Sequence, residues 1–264
     1  MGNTQTAGLP AHARGDPTGR ASMTSTRRIA FIAGVLYLVT FIASIPAVML
    51  LSPVLDQASY IVSSGSDTRV LFGTLLDVVN ALACIGTAVV LFPVVKRQNE
   101  SLALGFVTSR VLEAAVILIG VVSLLAVVTL RQDVGTAAGA DTASLVTTGR
   151  ALVAVRDWTL LLGPGLMAAV NATLLGTLMY RSGLVPRFIP TMGLIGAPIL
   201  VASCLGTLFG LWDQFSPVAL LLVLPVAAWE LSLGTYLTVR GFRPSPILTP
   251  SAAAVPSVGA APVA

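Results

Sequence analysis

The stretch Leu102–Leu130, LALGFVTSRVLEAAVILIGVVSLLAVVTL, holds 29 residues and only two ionisable side chains, Arg110 and Glu113. That is well above the roughly 20 apolar residues a helix needs to cross the hydrocarbon of a bilayer. Five more apolar segments share its character: Ile29 to Leu51, Val70 to Val95, Leu152 to Tyr180, Phe188 to Trp212 and Pro217 to Val239. Alanine, glycine and leucine dominate them, and their polar residues recur at helical rather than alternating spacing, which excludes a transmembrane β-barrel. The composition agrees: 55% hydrophobic and 10% charged residues, with a mean hydropathy of +0.91, against roughly a quarter charged in soluble chains. The expected fold is all-α, a polytopic membrane protein built as a six-transmembrane-helix bundle over 29–240.

Outside that domain, residues 1–28 and 241–264 are rich in Gly, Pro, Ser, Thr, Ala and Arg without apolar periodicity. Such segments cannot bury enough surface to offset the entropy of ordering, so both read as disordered tails. The basic residues set an orientation. Arg14, Arg20, Arg27, Arg28, Lys96, Arg97, Arg181, Arg187, Arg240 and Arg243 fall on one side, and only Arg69, Arg131 and Arg150 on the other. That asymmetry places both termini in the cytoplasm. The net charge of +4 is then a topology signal, and no nucleic-acid partner is expected. The lipid bilayer is the partner the composition demands.

Ionisable side chains are costly in hydrocarbon and normally face the bundle interior with a partner or a purpose. Four of those inside the segments matter here: Asp77, Arg110, Glu113 and Glu230. Helical rise puts Arg110 and Glu113 about 12 and 17 Å from the start of their helix at Leu102, and Asn171 and Glu230 each about 14 Å from the same side. Three helices therefore bring four polar groups to nearly one level, close to the midplane. Gly73, Asp77, Asn80, Cys84 and Thr87 line one face of the second segment, which brings Asn80 toward that level and Asp77 about a turn further out. Asp77, Asn80, Arg110, Glu113, Asn171 and Glu230 are thus the candidate site for a small charged solute or a proton. Arg110 is one positive charge against three acids, so at least one acid should hold a proton at neutral pH. Glu230, arriving from another helix beside Trp229 and Leu231, is the expected holder. The same charges read equally well as pins that fix helix register.

Arg156-Asp157-Trp158 opens the fourth segment near the interface and reads as an anchor. Asp157, Pro164 and Asn171, seven apart, share a helix face. Gly206 and Gly210 form a GxxxG pair for helix packing. Gly163-Pro164-Gly165 should interrupt the fourth segment, and Pro46, Pro198 and Pro225 should kink the first, fifth and sixth. Homo-oligomerisation is left open by these motifs.

Chemistry that needs histidine has only His12, in a tail, and Cys84 and Cys204 both lie in apolar runs. No HExxH, GxSxG or P-loop occurs. The expectation is no enzyme, no metal site and no cofactor.

Several stretches resemble a bacterial family of six-helix membrane proteins catalogued as domain of unknown function 4386. They are Arg27-Arg28-Ile29-Ala30-Phe31-Ile32-Ala33-Gly34, Phe92-Pro93 through Gly105, Arg110-Val111-Leu112-Glu113-Ala114, Asp157-Trp158 with Leu162-Gly163-Pro164-Gly165, Tyr180 through Arg187, and Trp229-Glu230-Leu231-Ser232-Leu233-Gly234. Together they span roughly Arg27 to Ser245. The resemblance implies a multi-pass protein of the bacterial plasma membrane and brings no activity, substrate or cofactor with it. Two functions fit the residues: a transporter-like protein with a midplane polar site, or a structural or regulatory membrane protein whose buried charges only fix packing.

Overall fold

Lipid offers helices little hydrophobic drive to associate, so the packing must come from small residues and a few polar links. The computed structural model describes residues 25–57, 59–63, 66–134 and 141–248, and these are helical throughout with short connections. Six helices are long and apolar enough to cross a membrane: α1 (Ser25–Asp56), α2 (Thr68–Val95), α3 (Glu100–Val134), α4 (Thr142–Ser182), α5 (Phe188–Leu208) and α6 (Pro217–Val239). This is the architecture of a multi-pass membrane protein.

Each helix packs on its neighbours in sequence, and α6 returns to α1, so the six close into a ring. Large apolar side chains such as Ile42, Phe72, Leu82, Val122 and Leu221 point outward, where lipid rather than water would cover them. The interior mixes alanine, glycine, hydroxyl and charged residues with larger side chains such as Leu91, Phe106, Leu175 and Trp229. Gly34 of α1 lies so close to α6 that a Cβ there would fall 2.5 Å from the backbone nitrogen of Thr238 and 2.7 Å from the carbonyl oxygen of Gly234. Arg27 fastens the same pair of helices by donating to the carbonyls of Leu237, Thr238 and Val239 at 3.0, 2.8 and 3.0 Å, three of the carbonyls that the end of α6 leaves without helical partners.

Local signals explain the ends. Ser216 caps α6 with its hydroxyl accepting from the Ala219 N–H, ahead of Pro217 in the first turn, where a missing donor costs nothing. Asp141 caps α4 in the same way through the Ala143 N–H. Opposite the basic end, a single turn, Tyr60–Val62, is tied down by charge. The Tyr60 hydroxyl donates to Asp67 at 2.8 Å, Arg131 donates to Asp67, to the Tyr60 hydroxyl and to the Ser63 carbonyl, and its guanidinium stacks 4.4 Å from the Tyr60 ring.

Four expectations change. The Gly163-Pro164-Gly165 stretch interrupts the α-helical hydrogen bonding of α4 but not its course. A π-turn over Leu161–Met167 carries the helix through, its wide turn accommodating the donor that Pro164 lacks. Gly206 and Gly210 are not a packing pair on one helix, because α5 ends at Leu208 rather than Trp212. Gly210 adopts a positive φ of 73°, and the Leu211 N–H bonds the Gly206 carbonyl at 2.8 Å, a Schellman stop that glycine favours. The first tail gives way to helix at Ser25, four residues before Ile29. The second tail is ordered through Leu248: the Arg243 N–H bonds the Leu184 carbonyl, Ser245 is buried with its hydroxyl on the Ser182 carbonyl, and Pro246–Leu248 forms a turn. Backbone-directed bonds of this kind leave no periodic signature in side chains. The expected disorder of 1–24 and 249–264 lies outside the described residues. Pro46, Pro198 and Pro225 all stand within continuous helices.

Candidate functional site

Arg110 projects from α3 into the middle of the ring and is 2% exposed. One nitrogen of its guanidinium, Nη1, donates to Glu113 Oε2 one turn along the same helix at 2.9 Å, and Nη2 reaches Glu230 Oε1 on α6 at 2.8 Å. Asn171, fully buried on α4, donates to the same Glu113 oxygen at 2.7 Å. The ring of Tyr37 on α1 lies 5.0 Å beneath the guanidinium, and the Phe106 ring 6.0 Å away, a cation–π environment that partly replaces water around the charge. Cys84 on α2 extends the set: its sulfur is 3.6 Å from Arg110 Nη1 and 4.0 Å from Asn80 Oδ1. Helices α2, α3, α4 and α6 thus contribute polar groups to one cluster, with α1 supplying the aromatic floor. The depth arithmetic brought Arg110, Glu113, Asn171 and Glu230 together, and here they bond directly.

Asp77 is the exception. It does not join this cluster but accepts from Arg156 Nη2 of α4 at 2.8 Å, with both side chains about 5% exposed. Arg156 is therefore a buried partner and not an interface anchor, because α4 begins at Thr142 and carries Arg156 well inside the helix. The signal available in the sequence was the charge imbalance itself, since three acids called for a second cation. With Asp77 neutralised separately, the cluster holds Arg110 against Glu113 and Glu230, an excess of one negative charge rather than two. Glu230 is also less isolated than expected, because Arg110 pairs with both carboxylates at once.

A cavity of about 120 Å³ opens beside the cluster, with Arg110, Glu113, Glu230, Asn80, Cys84 and Thr40 in its wall. Among the described residues, each carboxylate keeps one oxygen out of these bonds: Glu113 Oε1 and Glu230 Oε2. Glu230, with a side chain 15% exposed, is the most open member of the triad. Three members of the cluster also keep buried polar atoms without a protein partner: the Tyr37 hydroxyl, Arg110 Nε and Asn171 Oδ1. Such atoms are rare in protein interiors and mark places where water or a ligand completes the bonding. Ser44, on the weaker polar stripe of α1, and Pro164 of the π-turn line the same cavity. Asp157 stands apart, exposed in a pocket of about 200 Å³ that also includes Asp56, Tyr60 and Arg150.

Among the described residues no group of three or more His, Cys, Asp or Glu side chains could hold a metal ion. With both carboxylates ionised, the cluster carries one negative charge in excess and suits a proton or a monovalent cation better than an anion. No curated protein and no solved structure matches the chain. Residues 32–241 match the family described as domain of unknown function DUF4386, and the chain belongs to that family.

Proposed function

We propose that this is a non-enzymatic, transporter-like protein of the bacterial plasma membrane, with both termini in the cytoplasm, that takes up one proton or one small cation at Glu113 and Glu230. The observation that carries the reading is a pair of carboxylates that line a cavity, each with one oxygen outside the bonds of the cluster, at a site with one negative charge in excess. An uncompensated charge in low dielectric is expensive, and a proton or a monovalent cation removes it. Arg110 holds the two carboxylates in place and keeps the total demand at a single charge. The orientation follows from the basic loops, and the bacterial plasma membrane from the family resemblance.

A second reading has its own support. Arg110 links α3 to α6 and Arg156 links α4 to α2, so the pairs would also serve as register pins in a structural or regulatory protein. Thermal unfolding of the purified chain in nanodiscs separates the two. A ligand that binds only the folded state raises its stability by mass action. Sodium or methylammonium should raise the Tm of the wild type, less so as pH falls and protons compete, and should not raise it in Glu230→Gln. If no cation shifts the Tm, and Glu230→Gln lowers it by itself, the register reading is the correct one.

A further inference from the structure

The midplane cavity shares part of its wall with a neighbour. Pro164, Leu200 and Val223 also line a second chamber of about 200 Å³. This chamber runs toward the α5–α6 connection, where Gln214 and Phe215 form part of its wall. The two chambers differ in chemistry. The first holds the charged triad, and the second is walled by apolar side chains such as Val48, Leu161 and Leu220, with only Ser203, Thr207, Gln214 and the Cys204 thiol interspersed. The π-turn supplies wall to both through Pro164.

Resting on the cation reading above, we infer that the ligand is a primary organic amine with an apolar tail. The ammonium group sits at Glu230 and Glu113, and the tail passes Pro164, Leu200 and Val223 into the apolar chamber. Charge decides the head group: an anion would meet a site that is already one charge negative, and a neutral head would leave the excess in place. An ammonium offers three donors to the free oxygens Glu113 Oε1 and Glu230 Oε2 and to the Thr40 or Ser44 hydroxyls of the same wall. The apolar chamber decides the tail, since pockets of this kind gain affinity from buried hydrocarbon while a few polar groups fix orientation.

The test is calorimetric titration of the full chain in nanodiscs, with empty nanodiscs subtracted, using methylammonium, n-hexylammonium, n-hexanol and hexanoate. Hexylammonium should bind at least ten-fold more tightly than methylammonium and than hexanol, and hexanoate should not bind. Thr207→Phe, which fills the apolar chamber without touching the triad, should bring the hexyl-to-methyl affinity ratio toward one. Should that variant fail to assemble, Cys204 reports instead: in a Cys84→Ala background, hexylammonium should slow its methanethiosulfonate modification at least five-fold and methylammonium should not. Equal affinity for the two amines, dependent on Glu230, overturns the tail and leaves the cation site standing. A thiol at Cys204 that hexylammonium fails to protect, or a hexanoate that binds as well as the amine, overturns the inference too. If neither amine binds, the cation reading itself falls.

Discussion

Asp77 on α2 and Arg156 on α4 meet at 2.8 Å, both about 95% buried, one turn or more away from the Arg110 triad. Two separate ion pairs therefore cross the ring rather than one shared network. Removing one partner leaves a lone charge in low dielectric, so Asp77→Asn or Arg156→Met should each cost about 3–5 kcal/mol. The double variant, with no charge left to strand, should be closer to wild type than either single one. Thermal unfolding of the three variants checks this, and additive losses would show that the charges do not depend on one another.

Gly34→Ala should separate α1 from α6, because its Cβ would press on the Thr238 and Gly234 backbones as well as on the Thr238 hydroxyl, and the backbones cannot rotate away. Overpacking of this kind costs about 1–3 kcal/mol. Gly105→Ala is the control. There a Cβ meets only Leu174 methyls at 3.6 Å, an ordinary contact, so its Tm should stay at or slightly above wild type. Equal losses in both would mean that helix propensity and not close approach governs the first.

Much of this arrangement was legible in residue depth. Helical rise is rigid enough that Arg110, Glu113, Asn171 and Glu230 could be placed at one level before any packing was known. Arg156 reads as an anchor from hydropathy because the apolar run begins at Leu152, whereas the helix begins at Thr142. Hydropathy marks where lipid starts and not where the helix does. Gly206 and Gly210 misled for a related reason: a four-residue spacing is the same whether the second glycine packs a helix face or stops the helix at positive φ. The ring order and the C-terminal latch at Leu184 depend on which helices meet, and a single sequence carries no pairing information of that kind.

The Tyr60 hydroxyl is pushed up to about 12, first by burial and then by its bond to the Asp67 carboxylate. For Asp67, burial acts upward, but hydrogen bonds from Gln132 and Tyr60 and the charge of Arg131 outweigh it and hold the carboxyl below its ordinary range. The signs fix two pH windows. The contribution of Tyr60 is full below the ordinary tyrosine value and is lost as pH rises from about 10 toward about 12. The contribution of Asp67 is full above the ordinary aspartate range and is lost as pH falls through its lowered value. Ultraviolet titration should show a late tyrosine transition that loses one residue's amplitude in Tyr60→Phe, and an Asp67→Asn variant should lose the acid-side dependence of stability. A Tyr60 that titrates at the ordinary tyrosine value would contradict its bonds to Asp67 and Arg131.

The proposed topology is checked by fusion of a periplasm-dependent reporter. It should be active at Asp141 and silent after Arg243. The reverse pattern would invert the bundle and place the apolar chamber's mouth on the cytoplasmic side.

The π-turn makes the last prediction, on the register of α4. A π-turn behaves as one residue inserted into an α-helix, so its wide turn absorbs the extra residue while both flanks keep their phase. Deleting Gly165 should therefore close the turn to α geometry without rotating either flank. Arg156 would stay on Asp77 and Asn171 on Glu113, and the protein should assemble. Deleting Val107 in α3 is the contrast: no wide turn stands near it to take up the change, and one side of the helix must rotate by about 100° relative to the other, pulling Phe106 or Arg110 out of place. Size-exclusion chromatography and thermal unfolding should show a folded Gly165 deletion and an aggregated Val107 deletion. The closed turn would also draw Pro164 out of the wall that it gives to both chambers, so the Gly165 deletion should lose at least ten-fold in hexylammonium affinity while remaining assembled. A Gly165 deletion that collapses like the Val107 deletion would show that the wide turn itself, and not the phase of its flanks, holds α4 in the ring.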